Sequence, residues 1–244
     1  MLKLVSLLCL SMLMSVKSHA EVFDISVGTQ YWDYDLKGNV RTDIAAEGSV
    51  NINFKDNSNV DYFIIFEHAV PYWPNLKIKR NNIQSDGLMS VRLPDVLSGN
   101  IARVNADINL SHTDVVLYYE LMDSWVNLDL GLSAKYFNGH NRFKYVLLDY
   151  TLYRDDTKFS DWLPMLYLQT QFELPLTGLS AKAAVESITF DRNRATNFEL
   201  SLQYQNSFGL AADIGYRKLD VNLKNYKNFK SDLKANGYYL GVNY

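Results

Sequence analysis

His112, Asp114, Tyr118 and Glu120 are separated by even numbers of residues. In an extended strand all four therefore point to one face, because side chains alternate with period two. A histidine held by an aspartate, facing a carboxylate from another strand, can activate water, so the chemistry in question is hydrolysis. The remaining histidines beyond the first twenty residues, His68 and His140, have no such company in sequence. No H-E-x-x-H, paired C-x-x-C, phosphate-cradling glycine loop or G-x-S-x-G occurs. Zinc hydrolysis, nucleotide binding and a serine elbow thus find no support. A plainer account competes with hydrolysis: the inside of a narrow barrel is polar because it fills itself with hydrogen-bonded side chains. By parity, Glu67, Asp129, Lys135, Lys182 and Arg217 share an inward face with the first four residues. On this account they form a structural network, and no catalytic, metal-binding or cofactor-binding residue is expected.

The elements that would position such a face are alternating stretches. The clearest sets Val126, Leu128, Leu130, Leu132, Ala134 and Tyr136 against Asn127, Asp129, Gly131, Ser133 and Lys135. Similar stretches cover Val22–Tyr34, Val50–Phe54, Val60–Phe66, Arg103–Glu120, Leu166–Leu174, Leu179–Val185, Phe198–Tyr204, Leu210–Tyr216 and the terminal Lys234–Tyr244. Lys55–Asn59, Leu121–Ser124, Pro175–Gly178 and Asn206–Gly209 are short and turn-like, whereas the intervening connections are longer and more polar. Pro71 and Pro74 cannot donate to a strand ladder, so Glu67–Asn100 reads as one elaborated loop, and Asn138–Trp162 as an insertion with a hairpin around Tyr145–Tyr153. Short and long connections in alternation are the mark of a transmembrane antiparallel up-and-down β-barrel. Ten strands are expected, an even number that returns both ends to the periplasm; twelve is the runner-up.

Alternation alone also suits a soluble barrel with its apolar face inward. The strand number, aromatics at strand ends and the final Tyr238, Leu240, Val242, Tyr244 row decide for the membrane form. An alternating strand ending on an aromatic resembles the signal by which the barrel assembly machinery recognises outer-membrane proteins. Tyr31, Tyr136 and Tyr216 are expected near the outer interface, and Phe54, Tyr119, Tyr204 and Tyr244 near the inner one.

Residues 1–20 have the form of a secretory signal peptide. Lys3 precedes an apolar run from Leu4 to Met14, and Ser18-His19-Ala20 offers a cleavage site. The run is too short to span a bilayer as a helix. Cleavage takes the single cysteine, so the remaining barrel domain, 21–244, has no disulfide. Cleavage also removes Lys3 and Lys17 from the 24 basic residues, leaving 22 against 27 acidic ones. That acidic balance gives no support for nucleic-acid binding.

The segment Glu67-His-Ala-Val-Pro-Tyr-Trp-Pro-Asn75 resembles the E-H-P-x-P-x-x-P-N stretch of a family of uncharacterised outer-membrane β-barrels from Gram-negative bacteria, with Ala69 at a position that family usually gives to proline. Tyr118–Gly131, Leu163–Tyr167, Leu174–Gly178 and Gly215–Asp220 also match. The resemblance implies a barrel fold and a place in the cell outer membrane, and no activity.

Basic residues gather in the connections expected outside. Lys77, Arg80, Arg142, Arg192, Arg194, Lys224, Lys227 and Lys230 are candidates for contact with lipopolysaccharide, whose phosphates attract lysine and bind arginine bidentately. The function expected is a non-enzymatic outer-membrane barrel with a structural or interaction role. The alternatives are a narrow pore for small solutes and a hydrolase of the rim or lumen.

Overall fold

A β-strand in lipid must pair on both sides, since no water satisfies a free edge. The computed structural model, which describes residues 23–41, 49–54, 57–92, 101–147, 150–226 and 229–244, meets that demand by closing on itself. Ten antiparallel wall strands follow one another around the ring. They are β1 (Phe23–Arg41), β2 (Ser49–Phe54 and Asn57–His68), β3 (Asn75–Asn81 and Gln84–Arg92), β4 (Ile101–Asn109 and His112–Met122) and β5 (Val126–Leu147). Then come β6 (Tyr150–Leu174), β7 (Leu179–Phe190), β8 (Asn193–Gln205), β9 (Ala211–Tyr226) and β10 (Phe229–Asn243). The seam is β10 against β1, in register from Gly28↔Asn243 to Asn39↔Asp232. Val27 and Tyr244 complete it by exchanging backbone hydrogen bonds of 2.8 and 2.9 Å.

The expected strand number is right, but two of its assignments are not. Val50–Phe54 is not a separate strand, and Lys55–Asn59 is not a periplasmic turn. The two segments of β2 run in one direction along β1, from Arg41↔Ser49 down to Phe23↔His68. Between Asn53 and Asn57, four steps of β2 match three of β1, from Lys37 to Tyr34, so one extra residue is accommodated as in a bulge. Lys55 and Asp56 themselves lie outside the described residues. Nor is Glu67–Asn100 a single outer loop. Its prolines sit in a tight turn, 69–74, at the end that carries Phe23 and Tyr244. There Tyr72 takes a φ of 68° and the Asn75 side chain accepts from the His68 N–H at 3.0 Å. The chain then returns as β3, pairing with β2 from Phe66↔Leu76 and with β4 from Asn75↔Tyr118.

The outward and inward rows change character along the strands. On β5 the outward row runs apolar from Val126 to Tyr136; at about 3.3 Å per residue and a tilt of about 40° it is about 25 Å tall, the height of an outer-membrane apolar band. Beyond Tyr136 the outward residues are Asn138, His140, Arg142 and Lys144. The inward row does the opposite, passing from Asp129, Ser133 and Lys135 to buried Phe137, Phe143 and Tyr145. The same exchange occurs on β1 between Tyr31, 49% exposed, and Trp32, 1% exposed, and on β10 between Tyr238 and Tyr239. Below this level the barrel is mostly polar inside, apart from a small cluster of Ile65, Val116, Tyr118 and Tyr167, and apolar outside; above it, the reverse. A closed barrel with that lower half is a bilayer-spanning protein of the cell outer membrane, and its upper half stands in water.

Exposed aromatics mark the lower interface: Phe23, Tyr72, Trp73, Tyr119, Trp125, Phe172, Tyr204 and Phe208. Tyr136 against Trp162 (4.9 Å) and Tyr216 against Tyr238 (5.4 Å) mark the upper one. Phe54, expected near the inner interface, packs instead against the apolar core of the upper half. The wall is lowest at the β7–β8 hairpin. The β6–β7 ladder ends at Leu166↔Ser187, and Pro164, two residues on, has no N–H to extend it.

Candidate functional site

The interior has three levels. The uppermost is an apolar core, with Tyr34, Leu36, Ile83, Val104, Ile108, Phe143, Phe159, Leu219, Val221, Leu223 and Leu233 all buried. Ser85, Ser111 and Asn141 are buried at the same level.

Directly beneath lies a layer of charge. Arg217, 1% exposed, donates to Asp61 at 2.9 Å and to Asn197 at 3.1 Å, and lies 3.2 Å from Glu199. Its guanidinium also covers the Trp32 ring at 4.5 Å, a favourable stack in a desolvated site. Lys79 pairs with Glu199 at 2.8 Å. Lys135 bridges Asp114, at 2.8 Å, and Glu186. Asn81 donates to Asp114 at 2.8 Å. The register brings these residues together: Asp114 stands opposite Lys135 on β5 and Lys79 on β3, and Glu199 opposite Arg217 on β9. Three cations thus meet four carboxylates, with backbone and amide donors completing the shell, which is what a buried charge requires.

His112 belongs to this layer and is fully buried. Its Nδ1 lies 2.9 Å from the Leu110 carbonyl and so carries the proton donated there. Nε2 faces Asp114 at 3.5 Å, and the ring lies against Phe137 at 4.8 Å. A general base must reach the proton that it removes, and His112 is enclosed by protein on every side.

The lowest level opens toward the periplasm. Inward residues grow more exposed toward that end: Tyr167 is buried, Gln169 and Gln171 are half-buried and Glu173 is exposed. Tyr118 donates to Glu67 at 2.5 Å, Asn75 to Glu120 at 2.9 Å, and Gln169 to Asp129 at 2.7 Å. Lys182 lines a cavity of about 50 Å³ with Lys77, Lys79, Glu199, Asp213 and Gln203. The structure therefore divides the eight expected lumen residues between two levels. His112, Asp114, Lys135 and Arg217 lie in the charged layer, and Glu67, Glu120, Asp129 and Lys182 below it.

Of the basic residues expected outside, Lys77 is inside: it lies on β3 between Ile65 and Val116 and faces the lumen. Arg80, on the outward row of the same strand, donates to Thr113 at 3.2 Å. Arg142 is engaged by Asp107 at 3.3 Å and Asp156 at 3.4 Å. Arg192 and Arg194 are exposed at the tip of the β7–β8 hairpin. Lys227 lies outside the described residues; Lys224 and Lys230 lie on β9 and β10, their side chains outside the described residues. Sequence reading missed Lys79 and placed it in a loop. The signal was present, since Asn75, Lys77, Lys79 and Asn81 alternate with apolar Leu76 and Ile78 as a wall strand requires.

No family model and no curated protein sequence matches the chain. Among solved structures it is similar to the outer-membrane protease OmpT from Escherichia coli, with 11% identity over 91% of this chain and 95% of that one and a TM-score of 0.47. It is also similar to the translocator domain of the autotransporter NalP from Neisseria meningitidis, with 12% identity over 100% and 94% and a TM-score of 0.46.

Proposed function

We propose that this outer-membrane barrel is non-enzymatic, closed to solutes, and acts through the outside of its upper half, where basic side chains contact lipopolysaccharide. One observation carries the reading: the change of apolar face at Tyr31-Trp32 and Tyr136-Phe137 fills the upper interior with hydrophobic side chains. A plug of that kind leaves only the outer surface for a partner on that side. Arg192 and Arg194 form no ion pair among the described residues and stand just above the lipid-facing Phe198 row, at the height of headgroup phosphates. Lys224, Lys227 and Lys230 are the other members of the proposed contact, and Arg142 contributes less because two aspartates already hold it. The Glu67–Asn75 turn agrees with membership of the family that carries E-H-P-x-P-x-x-P-N.

Binding of detergent-solubilised protein to lipopolysaccharide tests the reading. Arg192→Glu with Arg194→Glu should weaken binding several-fold, more at low salt where surface charge is least screened, and Arg142→Glu should weaken it less. Binding indifferent to these reversals and to ionic strength would sink the lipopolysaccharide half. Hydrolysis of peptide or lipid by the pure protein, lost in a folded His112→Ala variant, would sink the non-enzymatic half.

The terminal strand serves a second proposed contact, with the barrel assembly machinery. Tyr244→Asp should leave export intact but reduce insertion, because it also places a charge on the lipid-facing row beside the seam. Normal surface exposure and heat-modifiable migration of that variant would count against it.

A further inference from the structure

The lowest level of the lumen is a blind chamber, open to the periplasm and roofed by the charged layer. Within it, Lys77 from β3 and Lys182 from β7 reach into one cavity of about 50 Å³ from well-separated parts of the wall. Among the described residues neither ammonium group has an ion-pair or hydrogen-bond partner. Their neighbours are committed elsewhere: Glu199 to Lys79 and Arg217, Asp129 to Gln169, Glu67 to Tyr118. Gln203 and Asn243 add neutral amide donors to the lining. Two ammonium groups facing one polar space, neither in ion-pair contact with a carboxylate among the described residues although Asp213 lines the same wall, are the elements of an oxyanion site.

We propose that this chamber binds a small periplasmic zwitterion, its phosphate or carboxylate held between Lys77 and Lys182. The charge order along the chamber selects the class. Asp213 shares the cavity wall, and Asp24, Glu120 and Glu173 ring the mouth, where all three are exposed. They oppose a bare anion and favour one that trails an ammonium group behind its oxyanion. The cavity holds a single such anionic group and leaves the cationic end among the carboxylates. The site is independent of the outer surface and of the lipopolysaccharide reading.

Phosphorus NMR on the detergent-solubilised full-length chain, with O-phosphoethanolamine as probe, tests the proposal. Saturable line broadening is expected, with inorganic phosphate binding more weakly. Lys77→Met with Lys182→Met should weaken binding at least tenfold at native heat-modifiable migration, and Lys144→Met, on the outer surface, should leave it unchanged. If the double variant does not fold, each single variant should show part of the loss. No saturable broadening, or broadening unchanged in the lysine variants, overturns the site; phosphate binding as tightly as phosphoethanolamine overturns the zwitterion assignment.

Discussion

Asp61→Ala should cost the barrel about 3–5 kcal/mol, because it leaves a buried guanidinium short of its partner. Asp61 is fully buried, accepts from Arg217 at 2.9 Å and also accepts from the Asn82 backbone N–H at 2.8 Å. Without it, Arg217 keeps Glu199 and Asn197, but Glu199 already neutralises Lys79. Arg217 and Lys79 are then left sharing one carboxylate while Asp114 and Glu186 both stay with Lys135, so the buried guanidinium is locally undercompensated. The exposed pair Lys234–Asp220, at 3.6 Å, is the control, since solvent screening leaves such pairs worth about 0–1 kcal/mol. Denaturant unfolding of protein refolded into vesicles would compare Asp61→Ala with Asp220→Ala. Equal losses would show that the charged layer does not hold the wall. Adding Arg217→Met to Asp61→Ala should restore part of the loss, because the undercompensated charge goes with it.

The second large effect belongs to the outer face. Leu130 is 47% exposed and lies midway between Val126 and Tyr136 on the apolar row of β5. Leu130→Arg should therefore cost about 2–4 kcal/mol, and Val126→Arg, next to the lower aromatics, about 0–1 kcal/mol. The same vesicle-unfolding measurement distinguishes the two positions. Matching losses would mean that the row does not cross the hydrocarbon as assigned.

Much of this wall was legible because lipid imposes a strict rule on every second residue. The faces of β1, β5 and β10 could be read from Ile25, Leu130 and Leu240 without any contact information. The strand number came out right through two opposite misreadings. Lys55–Asn59 has the composition of a turn, but the segments on either side run in the same direction along β1, one residue out of step, so one wall strand was counted as two. Pro71 and Pro74 signalled a broken strand where they form a turn, so β3 was lost to a loop. Composition does not say whether an irregularity reverses the chain. The charged layer was partly legible: parity put Asp114, Lys135 and Arg217 inside, but which of them meet depends on strand register, and no local pattern encodes that.

The change of face was overlooked although the sequence records it. An alternating strand that stays in one environment never needs two large apolar residues in succession. Tyr31-Trp32, Tyr136-Phe137, Trp162-Leu163 and Tyr238-Tyr239 break that rule, each with the first ring outward and the second residue inward. On these four strands the doublet marks the bilayer boundary, whereas the apolar runs Tyr62–Phe66 and Val115–Tyr119 serve a small cluster in the lower interior. Stretches beyond the doublets, such as Asp35 to Lys37, read as polar loop because apolar Leu36 now belongs to the opposite row.

The doublets also fix how deeply the molecule is immersed. Sinking by two residues would carry the outward side chains beyond the boundary, including Asp33, Asn138 and Lys218, about 5 Å toward the hydrocarbon. Rising by the same amount would lift the upper rings of Tyr136, Trp162 and Tyr238 into water and draw Tyr72, Trp73 and Trp125 in from the opposite interface. Both displacements are opposed around the circumference, so the barrel floats at one draught. A bilayer of different thickness must then adjust to the protein at its edge, because neither row of rings can follow it.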